Sequence, residues 1–234
     1  MTDRSPLAES LAELGPIEGR RTLAAEIADR LRDLILLERL APGAPIRERD
    51  LAEALGISRT PLREALRILE MDELVTYSAT RRPMVADPDV TTLAQNLRVL
   101  GALEALAGEE ACAQATDAEL AALAAAAREM AERSDSDEPL AFFRRDMAFH
   151  SGIVEAARNP PLLRAHAQFN ARLWRARFIS SRRRLKRART LEEHLDIAAA
   201  LSARDAAASA AALRTHLGTA ADNVAAARHD PGED

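Results

Sequence analysis

The feature that most constrains the fold is the helical periodicity that fills the chain from Thr91 onward. Alanine and leucine recur there at helical spacing, as in 120–127, and both residues favour helix. Short breaks predict helices over 91–114, 117–133, 138–157, 160–185, 188–203 and 205–228. Connections this short favour antiparallel neighbours. Residues 91–229 are therefore predicted to form a helical domain, an antiparallel bundle of about six helices.

The first third of the chain follows a different pattern. Helices are predicted over 23–35, 48–54 and 58–71, and extended runs over 74–77 and 84–86. Gly56 is placed to end the second helix in a left-handed conformation, and Pro61 falls in the first turn of the third, where its missing N–H removes no hydrogen bond. The fold class is thus mainly α, with a winged helix-turn-helix over 19–87 that follows a flexible tail over 1–18.

The composition indicates the kind of protein and the cellular compartment to expect. Hydrophobic residues make up 47% and charged residues 29%, which is enough apolar material for a core. Cys112 is the single cysteine and cannot form an internal disulfide, and no apolar run approaches the length of a membrane span. We therefore expect a cytoplasmic protein without a membrane partner. The net charge of −5 argues against nucleic acid as a general partner, but an average can hide a basic stripe.

Such a stripe lies on the third helix. Arg59, Arg63 and Arg67 are spaced i, i+4 and i+8, whereas Leu62 and Leu66 occupy the other side. In a major groove, the first two arginines could bind guanine edges or phosphates. The stripe by itself is equally consistent with a solvated helix face on which arginines pair with neighbouring acids.

The wider sequence resembles a known family. Residues 41–70, APGAPIRERDLAEALGISRTPLREALRILE, closely resemble the DNA-binding domain of the GntR family of transcriptional regulators. The resemblance implies that Arg49, Arg59 and Arg63 contact DNA, with Ser58 and Thr60 as phosphate partners.

The predicted wing departs from the family pattern. The family usually has one glycine before the strands and another at the wing tip, and this chain has Glu73 and Arg82 there. Arg81 and Arg82 are still expected to reach a minor groove, through a different turn.

A second group of residues suggests a metal site. Asp146 and His150 are spaced i, i+4 on the third bundle helix, and His194 and His216 lie on the fifth and sixth. One carboxylate and three imidazoles suit a divalent ion such as zinc or nickel, and antiparallel helices could bring the four together. Each residue alone is more often an ordinary polar residue, and the four could also form a polar core without metal.

The spacing Asp146-x3-His150-x43-His194-x21-His216 resembles the metal signature of the FCD effector domain, which accompanies the FadR subfamily of GntR regulators. About six helices rather than seven favour its VanR-like branch. The two resemblances together cover roughly residues 20–220. They imply one divalent metal ion and a small organic acid bound beside it.

The effector contacts are less clear in the sequence. The arginine that the family usually places four residues before the glutamate of the first bundle helix is Leu100 here, with Glu104 as the matching acid. The basic run over 172–189 could be a second nucleic-acid patch, or a solvated helix end with one or two arginines turned toward the cavity. Arg172 and Arg175 are the candidates for that effector contact.

Two classes of function follow. The first is a metal-containing, effector-responsive transcriptional regulator, and the resemblance implies that its helical domain over 91–229 binds the effector and forms a homodimer. It would bind double-stranded operator DNA with inverted-repeat half-sites and act as a repressor released by an organic acid. The alternative is a metal-dependent hydrolase built on the helical domain, with Glu193 as the nearest candidate base. The fused helix-turn-helix favours the regulator, and we expect no enzyme activity.

Overall fold

The computed structural model describes residues 22–134, 136–182 and 184–229. The predicted tail over 1–18 lies outside the described residues. The elements follow in the order α1 (Leu23–Leu36), α2 (Glu48–Leu55), α3 (Arg59–Met71), β1 (Val75–Tyr77), β2 (Pro83–Val85), α4 (Val90–Gln114), α5 (Asp117–Arg133), α6 (Pro139–Ala156), α7 (Pro160–Arg182), α8 (Arg184–Ser202) and α9 (Ala206–His229). The predicted fold, a winged helix-turn-helix before a helical bundle, is confirmed.

The N-terminal elements share one hydrophobic core. Leu31 and Ile35 of α1 pack against Leu62, Leu66 and Leu69 of α3, and all five are almost fully buried. The turn from α2 to α3 passes through Gly56, whose φ of 65° is left-handed, as the sequence predicted. The core therefore holds α3 by its apolar side and leaves its other side free for a partner.

The wing is a short antiparallel hairpin in which Val75 pairs with Val85 and Tyr77 with Pro83. Its turn places Arg81 at a φ of 57°, and Glu73 before β1 has a φ of 54°. Both are positions where an L side chain is strained. The left-handed residue at the wing tip is thus Arg81 rather than Arg82.

Helices α4–α9 form the bundle within the described residues. The long helices α4 and α9 approach closely because Gly101 and Gly108 of α4 leave room for Leu217 and Ser209 of α9. The described part of α7 ends at Arg182 and that of α8 begins at Arg184, and Thr190, one of the breaks suggested by the sequence, lies inside α8. None of the described helices is both long enough and apolar enough to cross a membrane.

Candidate metal centre and DNA-binding face

The structure brings the four predicted metal ligands together. Asp146 and His150 project from α6, His194 from α8 and His216 from α9. All four residues are buried, and one potential ligand atom from each lies within 4.8 Å of the others. Residues from three helices, separated by up to 70 positions in the chain, thus converge on one point.

The distances between these atoms fit a single ion. Asp146 Oδ1 lies 2.9 Å from His194 Nε2 and 3.2 Å from His150 Nε2, and the two Nε2 atoms are 3.4 Å apart. Atoms that bind one zinc tetrahedrally at about 2.1 Å lie about 3.4 Å apart. Asp146 Oδ1 nevertheless has no aligned hydrogen bond, although it is buried. A bound cation would stabilise such a site, because it would interact with the buried carboxylate oxygen and with the imidazole nitrogens that face it.

Two carboxylates orient two of the histidines. His150 Nδ1 lies 2.6 Å from Glu104 Oε2, and His216 Nδ1 lies 3.1 Å from Glu193 Oε2. A ring that donates its Nδ1–H to a carboxylate presents the Nε2 lone pair to the centre, as in carboxylate–histidine–metal sites. The third ring has no such partner, because His194 Nδ1 is buried without a hydrogen bond.

Burial and the neighbouring charges determine which of these side chains are protonated. Burial lowers the pKa of His216 to about 4, with a further contribution from His194, so this ring is neutral at pH 7. Burial also works against a charged His150, but the Glu104 carboxylate outweighs it and raises the pKa of His150. Burial would raise the pKa of Asp146, yet the nearby imidazoles hold it well below its usual value. The aspartate is therefore ionised, and His150 is protonated more readily than His216.

Glu104 is the centre of a wider buried network. Its Oε1 accepts from Arg177 Nη1 at 3.1 Å and lies 3.2 Å from His166 Nε2. Arg177 also donates to Asn170 Oδ1 at 2.9 Å. Burial opposes the charged carboxylate, but His150 and Arg177 hold the pKa of Glu104 well below its usual value. The glutamate is therefore ionised, and it connects an imidazole of the metal centre to a buried guanidinium.

A small cavity of about 20 Å³ adjoins the metal centre. It is lined by Asp146, Arg177, Ser181, Thr190, His216 and Ala220. This volume admits about one water molecule. A ligand larger than a water molecule requires the walls of the cavity to move apart.

The two arginines that the sequence suggested for the effector lie elsewhere. Arg172 pairs with Glu73 at 3.1 Å, and Arg175 pairs with Glu38 at 2.9 Å, so both guanidinium groups contact the N-terminal unit. The arginine at the cavity is Arg177, which is only 4% exposed. Arg175 and Arg177 are two residues apart, which corresponds to about 200° around α7, so their side chains point to different sides of this helix.

A sequence signal for Arg177 exists. His166, Asn170 and Arg177 are spaced by four and seven residues, which places the three polar side chains on one face of α7. The sequence favoured Arg172 and Arg175 instead of Arg177, because nothing in the pattern shows which face of α7 meets the cavity.

The residues predicted to contact DNA are all exposed on the N-terminal unit. Arg49 lies on α2, Arg59, Thr60 and Arg63 on the first turns of α3, and Arg81 and Arg82 on the wing, while Ser58 is the N-cap of α3. Arg63 Nε donates to Glu48 Oε2 at 2.7 Å, so α2 supplies its acidic partner. Arg47, the N-cap residue of α2, is 80% exposed at its side chain and was not singled out from the sequence.

Comparisons with known proteins identify the class. Residues 23–83 match the gntR family of bacterial regulatory proteins, and residues 95–219 match the FCD domain. The chain belongs to the GntR family of transcriptional regulators and carries an FCD domain.

Individual relatives agree with this class. The chain is 31% identical, over 90% of its length and 89% of the relative's, to an uncharacterized HTH-type transcriptional regulator in an unstable DNA locus of Streptomyces ambofaciens. It is 33% identical, over 62% of its length and 66% of the relative's, to the "Probable D-xylose utilization operon transcriptional repressor" of Paenarthrobacter nicotinovorans. The solved structure of E. coli McbR/YncC superposes with a TM-score of 0.76 at 21% identity, covering 91% of this chain and all of that one, which shows the fold alone. These families and relatives are regulators and not enzymes.

Proposed function

We propose that this regulator contains a divalent metal ion, zinc or nickel, held by Asp146, His150, His194 and His216. The observation that supports the proposal is the convergence of these four buried groups around an acceptor without an aligned hydrogen bond. When bound, the ion would supply a Lewis-acidic positive charge beside the small cavity. Carboxylates already orient two of the histidine rings, as such sites require.

Elemental analysis of the tag-free protein tests the metal site. We expect about one zinc or nickel ion per chain, lost in Asp146→Asn and retained in His166→Gln, which changes a buried histidine beside the site that is not a ligand. If the wild-type protein holds no stoichiometric metal and His150→Ala lowers stability only as a cavity would, the four residues are a polar core.

We further propose that the effector is a small organic acid and that Arg177 helps to bind it. Arg177 is buried, and its side chain lines the small cavity beside Asp146 and His216. A divalent ion held by the four proposed ligands would add positive charge at the same cavity. A carboxylate is stable in a buried place only where cations balance it, so a guanidinium and a metal ion beside one cavity favour an organic acid as the effector.

A thermal-shift screen of small carboxylic acids tests this assignment, because a ligand that binds only the native state raises the melting temperature. We expect hits that disappear with chelator and in Arg177→Gln but persist in Arg175→Gln. Hits that persist in Arg177→Gln would contradict the role of Arg177, and hits that persist with chelator would place the effector elsewhere.

The DNA-binding role is assigned to Arg49, Ser58, Arg59, Thr60, Arg63, Arg81 and Arg82. Their exposure on one side of the helix-turn-helix and on its wing supports the assignment. We propose a homodimer that binds inverted-repeat half-sites in the cytoplasm and acts as a repressor released by the effector. The relative from Paenarthrobacter nicotinovorans is named as a probable operon repressor, which agrees with repression as the mode of control.

Selection of operator fragments from genomic DNA, followed by gel-shift measurements, tests the interface. Arg59→Ala should abolish retention of the selected fragment, whereas Arg128→Ala, an exposed arginine on α5, should leave it unchanged. An unaltered shift with Arg59→Ala would contradict the assignment.

We propose that the chain belongs to the VanR-like branch of the FadR subfamily, with domains over 19–87 and 91–229, because six bundle helices follow the wing in the described residues. The hydrolase alternative is not favoured.

A further inference from the structure

Helix α6 carries two stripes of buried side chains, one polar and one hydrophobic, on neighbouring sides. Asp146 and His150 face the metal centre, whereas Phe143 and Met147 belong to a separate hydrophobic cluster that includes Leu36 from the end of α1. At 100° per residue, the second stripe lies about 60° around the helix from the first. One rigid helix therefore contacts both the metal centre and the DNA-binding domain.

This contact between the domains is well packed. Leu36 and Phe143 are fully buried, and the Phe143 ring makes edge-to-face contacts with Trp174 and Phe178 of α7 at centroid distances of 5.4 Å. Arg32 of α1 stands over the Trp174 ring at 5.6 Å. Interiors packed in this way transmit small displacements instead of absorbing them.

Ion pairs surround this hydrophobic contact. Arg144 of α6 donates to Asp33 of α1 at 2.6 Å, and Arg175 of α7 donates to Glu38 at 2.9 Å. Exposed pairs of this kind contribute little energy. Their contribution is to add contacts between the two domains at the edge of the hydrophobic cluster, because each pair joins an element of the bundle to the chain at or just after α1.

We propose that metal occupancy sets the position of the DNA-binding domain through α6, so that the metal ion is itself an orienting ligand of the regulator. This inference rests on the proposed metal site. The ligand atoms come from α6, α8 and α9, and a shared ion ties α6 to the other two helices. A rotation of α6 by about 10° moves atoms 5 Å from its axis by roughly 1 Å, which a packed interface registers.

Two adjacent phenylalanines provide a matched test. Phe143 belongs to the domain interface, whereas Phe142 is equally buried on another side of α6, in the bundle core. The substitutions Phe143→Leu and Phe142→Leu remove similar volumes from the same helix. The experiment adds zinc to chelator-treated full-length protein and measures bound zinc, hydrogen exchange of the α1 amides and the emission of Trp174, the single tryptophan of the chain.

Zinc should slow exchange in the last turn of α1 about threefold or more and shift the Trp174 emission in the wild type and in Phe142→Leu. In Phe143→Leu, zinc should bind with the same stoichiometry, but the response of α1 should be lost. Should Phe143→Leu fail to bind zinc, the double variant Arg144→Ala, Arg175→Ala replaces it, since it changes only the surrounding pairs and should weaken the response.

The outcomes separate the two proposals. If the wild type takes up no zinc, the metal site fails and this inference fails with it. If the wild type takes up stoichiometric zinc but α1 exchange and Trp174 emission stay unchanged, only the coupling is overturned. An equal response in Phe143→Leu and Phe142→Leu would likewise overturn transmission through the Phe143 contact.

Discussion

Replacing Glu104 by glutamine separates the charge of this carboxylate from its shape. The side chain is 1% exposed and lies 2.6 Å from His150 Nδ1, so a glutamine oxygen can still accept that hydrogen bond. Without the negative charge, however, the ring is a weaker base and a weaker metal ligand. Loss of such an outer partner typically lowers metal affinity about 10- to 100-fold.

The same substitution should destabilise the protein, because Arg177 would remain buried without its carboxylate. Removing one partner of a buried pair costs about 3–5 kcal/mol. For a chain of this size, each kcal/mol corresponds to about 2–4 °C, so the melting temperature should fall by about 6–20 °C. Loss of affinity and loss of stability are thus expected together.

Competition with a chromophoric zinc chelator measures the affinity, and thermal unfolding of the metal-free protein measures the stability. Glu110→Gln is the matched control, because Glu110 lies on the same helix and pairs with Asn159, away from the metal centre. Should Glu104→Gln bind zinc as tightly as this control does, the reasoning that Glu104 strengthens His150 as a ligand is refuted.

Three further predictions address the metal centre, the packing and the DNA-binding face. Since the pKa of His150 is raised above 6.5, zinc affinity should already decline as the pH falls through that raised value, and a chelator competition series that stayed flat until pH 5 would contradict this. Gly108→Ala should destabilise by about 1–3 kcal/mol, because a Cβ there would lie within 2.6 Å of α9 side chains, whereas Gly218→Ala, with no atom within 4 Å, should stabilise by about 0.5–1 kcal/mol in denaturant unfolding. Glu48→Gln should raise the affinity for nonspecific DNA several-fold at low salt, because it removes the acidic partner of Arg63. An equal gain in the exposed control Glu53→Gln would show a general charge effect instead.

The amino-acid sequence determined the features that depend on neighbours along the chain. Helical spacing predicted the elements of the bundle, and Gly56 predicted the turn before α3. The spacing of Asp146 and His150 placed both on one helix face because the helical repeat is fixed by backbone geometry. The structure brings them together with His194 and His216, as the motif implied.

Only the tertiary structure decided which side of each helix meets which neighbour. A helix that bears polar residues on several faces gives no local signal for the face that lines a cavity. In the structure Arg177 lines the small cavity and pairs with Glu104, whereas Arg172 and Arg175 contact the N-terminal unit. The Phe143 contact likewise joins elements more than 100 residues apart. Local spacing fixes where side chains point around their own helix axis, whereas the packing of the helices against one another fixes what those side chains meet.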